Sequence, residues 1–220
     1  MKKYSFLLIV FTSLYCTALI ISNIIAGKLW ATPILNVTLT AGVFLFPVVY
    51  IIGDVIPEVY GIKAAKKVIL LGFLTNVIAV GFFLLTIALP YPPYFTIQDS
   101  FKNVLGFTPR LLIASFVGYL AGTNVNAYVL IWIKKLTKEK YLWIRTISST
   151  IFGESVDSIL FITIAFTGIL PKQAMIPMII AQAGFKILYE VLATPLTYAV
   201  VSWVKQKEKY TDVDKPQRED

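Results

Sequence analysis

The stretch 148-SSTIFGESVDSILFITIAF-166 decides how this chain folds. Apart from Glu154 and Asp157 it holds only apolar and small uncharged residues. It lies within an apolar run over 147–169, and five more runs of this kind cover 4–26, 37–56, 68–89, 111–133 and 175–204. Each is near or above the ~20 residues that cross ~30 Å of hydrocarbon at ~1.5 Å per residue. None alternates in the manner of a β-barrel strand. Composition agrees. The 220 residues are 57% hydrophobic and 15% charged, with a mean hydropathy of +0.76, whereas a soluble domain is about a quarter charged. The expected fold is an all-α integral membrane protein with six transmembrane helices in one domain over 1–204. Residues 205–220, charged and poor in apolar groups, are expected to form a disordered tail.

The net charge of +8 serves orientation. Fifteen basic residues fall at the N-terminus, in the second and fourth connections and in the tail, and four fall on the other side: Lys28, Lys102, Arg110 and Lys172. The positive-inside rule then places both termini in the cytoplasm. Contact with anionic lipid accounts for the basic charge, and no nucleic-acid partner is expected. The first run starts with Met1-Lys2-Lys3, exceeds the apolar core of a signal peptide and has no A-x-A site after it, so it reads as a retained helix.

A single cysteine, Cys16, excludes an internal disulfide. The absence of histidine excludes His-dependent zinc sites and intramembrane zinc proteases, and leaves carboxylates for any proton coupling. No Walker A sequence is present, and no metal or cofactor is expected. The segment 90-PYPPYFTIQDSFKNVLGFTPR-110 reads as an external spacer with interfacial aromatics. A 3+3 inverted repeat is suggested by acids in the middle helix of each half and by the related 23-NIIAGK-28 and 124-NVNAYV-129.

Ionisable groups at membrane depth face a bundle interior or a watery cavity. Six are expected there: Asp54, Glu58, Glu154, Asp157, Lys186 and Glu190. Asp54/Glu58 and Glu154/Asp157 are spaced to share a helix face, and Gln182, Lys186 and Glu190 form a four-residue stripe. Asn124 and Asn126 fall at a similar depth on the fourth helix. The stripes are expected to converge on a polar cavity in which Lys186 faces the two acids of the opening stretch. A buried ion pair that merely fixes helix packing is the alternative reading. Asn23 and Asn76 suit bonding between helices. Gly53 and Pro57 are expected to weaken the second helix beside Asp54.

Three segments carry a family resemblance. The block 41-AGVFLFPVVYIIGDVIPEVYG-61 with basic 63-KAAKK-67, the opening stretch, and 185-FKILYEVLATPLTY-198 resemble the signature of queuosine precursor transporters, also called vitamin-uptake-transporter-like. The resemblance spans roughly residues 5–204. Asp54, Gly153, Asp157, Lys186 and Pro195 stand where the family pattern puts them. Glu58 fits the PEVYG form of the first motif, and Glu154 lies at a position the pattern fixes less. The resemblance implies uptake of 7-deazaguanines such as preQ0, preQ1 or queuine, precursors of a modified tRNA nucleoside. It also implies a fold similar to the six-helix substrate-binding subunits of energy-coupling-factor transporters.

The partner is then a small planar base in a lipid bilayer. A carboxylate, Asp157 or Glu154, suits its paired N–H donors. Asn126, Gln182 or Lys186 suits its carbonyl, and Asp54 or Glu190 suits an aminomethyl cation. The sequence leaves open a homodimer and a separate energising subunit. Rival readings are another vitamin or nucleobase as cargo, a non-transporting scaffold, and an intramembrane enzyme.

Overall fold

The computed structural model describes residues 5–32, 37–137 and 142–210, without the side chains of 134, 142–146, 209 and 210. Six of its helices are long and apolar enough to cross a membrane. They are α1 (Phe6–Ile25), α2 (Phe46–Tyr60), which reaches spanning length only with the turn before it (Ala41–Tyr60), α3 (Ile62–Ala88), α5 (Thr108–Leu136), α6 (Leu142–Phe166) and α7 (Lys172–Tyr210); the short α4 (Gln98–Leu105) lies in the long connection. The protein is an all-α, six-span membrane protein, as the apolar runs imply. Large apolar side chains such as Phe82 (63% exposed) and Leu192 (67% exposed) face outward, as lipid contact requires.

The second span starts later than its apolar run. Residues 38–40 form a strand, β2 (Thr38–Thr40), paired antiparallel with β1 (Leu29–Ala31). A 3-10 turn over Ala41–Leu45 follows, and α2 begins only at Phe46. The physical reason is local. Val37, Thr38 and Thr40 are β-branched and favour extended backbone. Thr40 is fully buried and donates its hydroxyl to Gln182 Oε1 at 3.1 Å. Pro47 then supplies a preformed helix start. Non-helical backbone of this kind is tolerated in a membrane protein where protein covers it.

Both described ends of the chain meet. The Ser5 hydroxyl donates to Glu208 Oε1, and Tyr60 donates to the same oxygen at 2.8 Å. Lys205 pairs with Glu58 nearby. These contacts carry α7 as helix to Tyr210, beyond the expected tail boundary at 204/205. Residues 211–220 lie outside the described residues. We call this the terminal end, and the opposite one the hairpin end.

Two devices join the spans in the absence of a hydrophobic drive between helices in lipid. The first is a polar knot. Asn23 of α1 donates to Asn76 of α3 at 2.9 Å, and Ser115 of α5 donates to Asn23 at 2.7 Å. Asn23 and Asn76 thus bond across helices. The second is close backbone contact. Ala114, Gly118, Gly122 and Asn126 recur every four residues on α5; the last three meet Gly153 and Asp157 of α6, and Ala114 joins the apolar cluster with Phe161, Ile162 and Ala165. A methyl group on Gly122 would lie 2.8 Å from the Gly153 carbonyl oxygen and 2.9 Å from Asp157 Cβ. At the hairpin end Arg110 donates to the Ile164 carbonyl at 2.6 Å and to that of Thr167, which satisfies the last turn of α6.

Gly122→Val tests the close crossing. Both clashes involve backbone or Cβ atoms that cannot swing aside, so α5 and α6 must part. We expect a loss of about 1–3 kcal/mol, typical of overpacking, read as a lowered melting temperature in detergent. Gly184→Val on α7, where a Cβ would meet nothing within 4 Å, is the control.

Candidate functional site

Three helices supply the site. On α2, Phe46, Tyr50 and Asp54 follow at four-residue spacing and share a face. On α6, Glu154 and Asp157 lie about two to three turns from the end at Phe166, so they sit near mid-span. On α7, Gln182, Lys186 and Glu190 form one stripe.

Lys186 is the centre. It is 5% exposed, and its ammonium donates to Asp157 Oδ2 and lies 3.3 Å from Glu154 Oε2. Its remaining side faces the Phe46 ring, with Nζ 5.1 Å from the ring centroid. Tyr50 donates its hydroxyl to Glu154 Oε2 at 3.2 Å and packs edge-on against Phe46, with ring centroids 5.9 Å apart. A buried cation thus has two carboxylates on one side and an aromatic wall on the other. Opposite charges this close interact strongly in a low dielectric, and each would be costly alone.

The surroundings are polar on both sides. Towards the hairpin end, Gln182 is 1% exposed and accepts from Thr40. Towards the terminal end, Thr150 donates to Glu190 Oε1 at 3.2 Å. Glu190 lies within electrostatic reach of Glu154 and Asp54. Ser158, one turn along α6 from Glu154, is fully buried, and its Oγ has no hydrogen-bond partner among the described residues.

The structure therefore gathers Asp157, Glu154 and Lys186 in direct contact, with Gln182 and Glu190 on the same α7 stripe, whereas Asp54 is exposed on α2 and interacts with Glu190 only electrostatically. Asn126 stands behind Asp157, its Cβ against Gly153. Two sequence-predicted residues stand apart. Glu58 is exposed and paired with Lys205 at the terminal end. Asn124 is exposed and donates to the Leu120 carbonyl of its own helix at 2.7 Å. Sequence reasoning missed Phe46, Tyr50, Thr40, Thr150 and Ser158. The first two had a signal: counting back in fours from Asp54 reaches Tyr50 and then Phe46. Thr40 had none, because its role depends on where the hairpin folds.

Comparison with known proteins gives a consistent set. Residues 40–200 match the family described as "Putative vitamin uptake transporter", a range that includes every residue of the centre. A "Probable queuosine precursor transporter" of Bacillus subtilis is 26% identical over 176 residues, 79% of this chain and 76% of that protein. A "Queuosine precursor transporter" of Escherichia coli is 26% identical over 133 residues, 60% of this chain and 58% of that protein. No solved structure matches.

The electrostatics of the centre make a stability prediction. Lys186→Met strands two facing carboxylates, and breaking a buried pair costs about 3–5 kcal/mol. We expect a large fall in melting temperature in detergent. The triple variant Lys186→Met, Glu154→Gln, Asp157→Asn removes the stranded charge and should recover part of the loss. A triple variant less stable than Lys186→Met alone would contradict this account.

Proposed function

The chain belongs to the vitamin uptake transporter family, whose members are transporters and not enzymes, and from that membership we propose that it imports queuosine precursors, 7-deazaguanine bases, into the cytoplasm. The observation that carries this reading is the buried cation with two carboxylates and an aromatic wall, midway along the spans. The names of the relatives supply the cargo class.

The chemistry of the base fits the centre. Its guanine-like edge carries an N–H and an exocyclic NH2 side by side, and one carboxylate accepts from both. In a low dielectric that pair is strong and directional. The neighbouring carbonyl of the base needs a donor, and Lys186 or Gln182 supplies one. The flat ring stacks on an aromatic face, for which Phe46 is in place. A cargo with an aminomethyl cation would find Glu190 towards the terminal end, with exposed Asp54 within its electrostatic reach. The excess of Lys and Arg at the terminal end supports a cytoplasmic location for it, in a bacterial inner membrane.

Complementation tests this reading. Cells that can neither make the precursors nor import them receive this chain and a low concentration of precursor base, and their tRNA is assayed for queuosine. We expect the modification to be restored. Asp157→Asn at equal membrane abundance should lower the initial rate about tenfold or more, equivalent to ~1.4 kcal/mol or more of lost interaction. A well-expressed native chain that restores nothing would reject this cargo. Uptake of another labelled nucleobase or vitamin would then identify the replacement.

A further inference from the structure

The two carboxylates of the centre have different surroundings. Asp157 is confined. Its Oδ2 receives Lys186, and its Oδ1 lies against the backbone of α5, where a methyl group on Gly118 would be only 2.5 Å away. Its Cβ is wedged against Gly122 in the same crossing. No face of this carboxylate offers both oxygens to a ligand. Two parallel N–H donors need two acceptor oxygens and clear space in the carboxylate plane.

Glu154 is arranged differently. Tyr50 and Lys186 both address its Oε2, at 3.2 and 3.3 Å. Its Oε1 makes no hydrogen bond or ion pair among the described residues. A carboxylate oxygen has two lone pairs, so Oε2 can accept once more or exchange the tyrosine. The side chain is 19% exposed against 16% for Asp157, so the difference between the two lies in their partners and not in access. Glu154 also stands at the foot of the Phe46–Tyr50 wall. A flat ring lying against that wall would bring its edge to Glu154 and not to Asp157. Lys186 donates one N–H to Asp157 and stands in ion-pair contact with Glu154, so its ammonium keeps donor capacity on the Phe46 side for a carbonyl of the same ring.

We infer that Glu154, oriented by Tyr50, is the specificity-determining carboxylate that reads the donor edge of the base, and that Asp157 is a positioning residue for Lys186. The inference rests on the cargo class proposed above. It reverses the emphasis that motif position alone suggests, because the residue at the less fixed position touches the ligand. Its chemical consequence is selectivity for purine-like bases that carry an amino group next to a ring N–H.

The test compares two competitors of labelled precursor uptake, 7-deazaguanine and 7-deazahypoxanthine. They differ only in the exocyclic amino group. The native chain should prefer 7-deazaguanine by about tenfold or more, since a polar site rejects an analogue that leaves its acceptor unpaired. Glu154→Gln should shrink that preference to about twofold or less. Tyr50→Phe should shrink it in the same direction, less severely. Asp157→Asn should weaken both competitors by a similar factor and keep the preference. Competition by 7-deazahypoxanthine in Glu154→Gln shows that the variant is folded. If that variant takes up nothing, Tyr50→Phe alone decides, and an unchanged preference in it overturns the inference. Loss of the preference in Asp157→Asn, with Glu154→Gln unaffected, also overturns it while leaving the cargo intact. A native chain with no saturable uptake of labelled precursor overturns the cargo and the inference together.

Discussion

One ammonium group organises this bundle. Lys186 is 5% exposed, in the middle of a protein whose outer surface faces hydrocarbon. A lone cation there would be very costly. Asp157 and Glu154 offset that cost only while α6 and α7 hold one relative height and rotation. A slide of α7 by one turn, ~5.4 Å, would leave all three charges uncompensated. The ion cluster therefore sets a register that apolar contacts alone would leave loose, because lipid is as good a partner for leucine as another helix is.

The rest of the fold serves that register from different directions. The glycines of α5 let α6 approach so closely that Asp157 has one position available. The hairpin brings Thr40 to Gln182, one turn from Lys186, and delivers Phe46 over the ammonium. The Asn23–Asn76–Ser115 knot ties α1 and α3 to α5, away from the centre. At the terminal end Glu208 and Lys205 fasten α7 to the start of α1 and the end of α2. In α2, Pro57 lies between that fastening and Tyr50, and it lacks the N–H that would bond the Gly53 carbonyl. The site and the terminal clasp are thus joined by a helix with a missing hydrogen bond.

Much of this was legible in the residues. Run length against bilayer thickness gave six spans, because that constraint is one-dimensional and tertiary structure does not alter it. The meeting of Lys186 with Glu154 and Asp157 followed from depth and helical periodicity, since charges in a membrane must find each other. What escaped was of two kinds. Tyr50 and Phe46 are amphipathic or apolar, so nothing in a hydropathy pattern separates them from lipid-facing aromatics. Only their spacing from Asp54 did. Gly118 and Gly122 stand in a small-residue pattern that marks helix contact but not which helix is contacted. The β-branched residues before α2 and Pro47 at its start were local signals of its late beginning, but the bond from Thr40 to Gln182, 142 positions away, was not encoded in any local pattern.

The charges of the centre compensate one another within the protein, while Glu154 Oε1 has no partner among the described residues. Lys186 already has two carboxylates and an aromatic face, and Glu154 already has a phenol. A base bound as proposed would meet an existing network and would not relieve an uncompensated charge. A bond to Glu154 Oε2 or to Lys186 would be partly offset by one that loosens within the network, which moderates affinity, whereas a bond to Glu154 Oε1 would displace none. Passage through a membrane protein needs that balance, since a site must hold its cargo well enough to load and weakly enough to release it. A single free carboxylate in the same place would bind a cationic or donor-rich base more tightly and would let it go more slowly. Because the charges of the centre already compensate one another, selectivity at the proposed site would rest on the geometry of the donors in the cargo, and the total charge would contribute less.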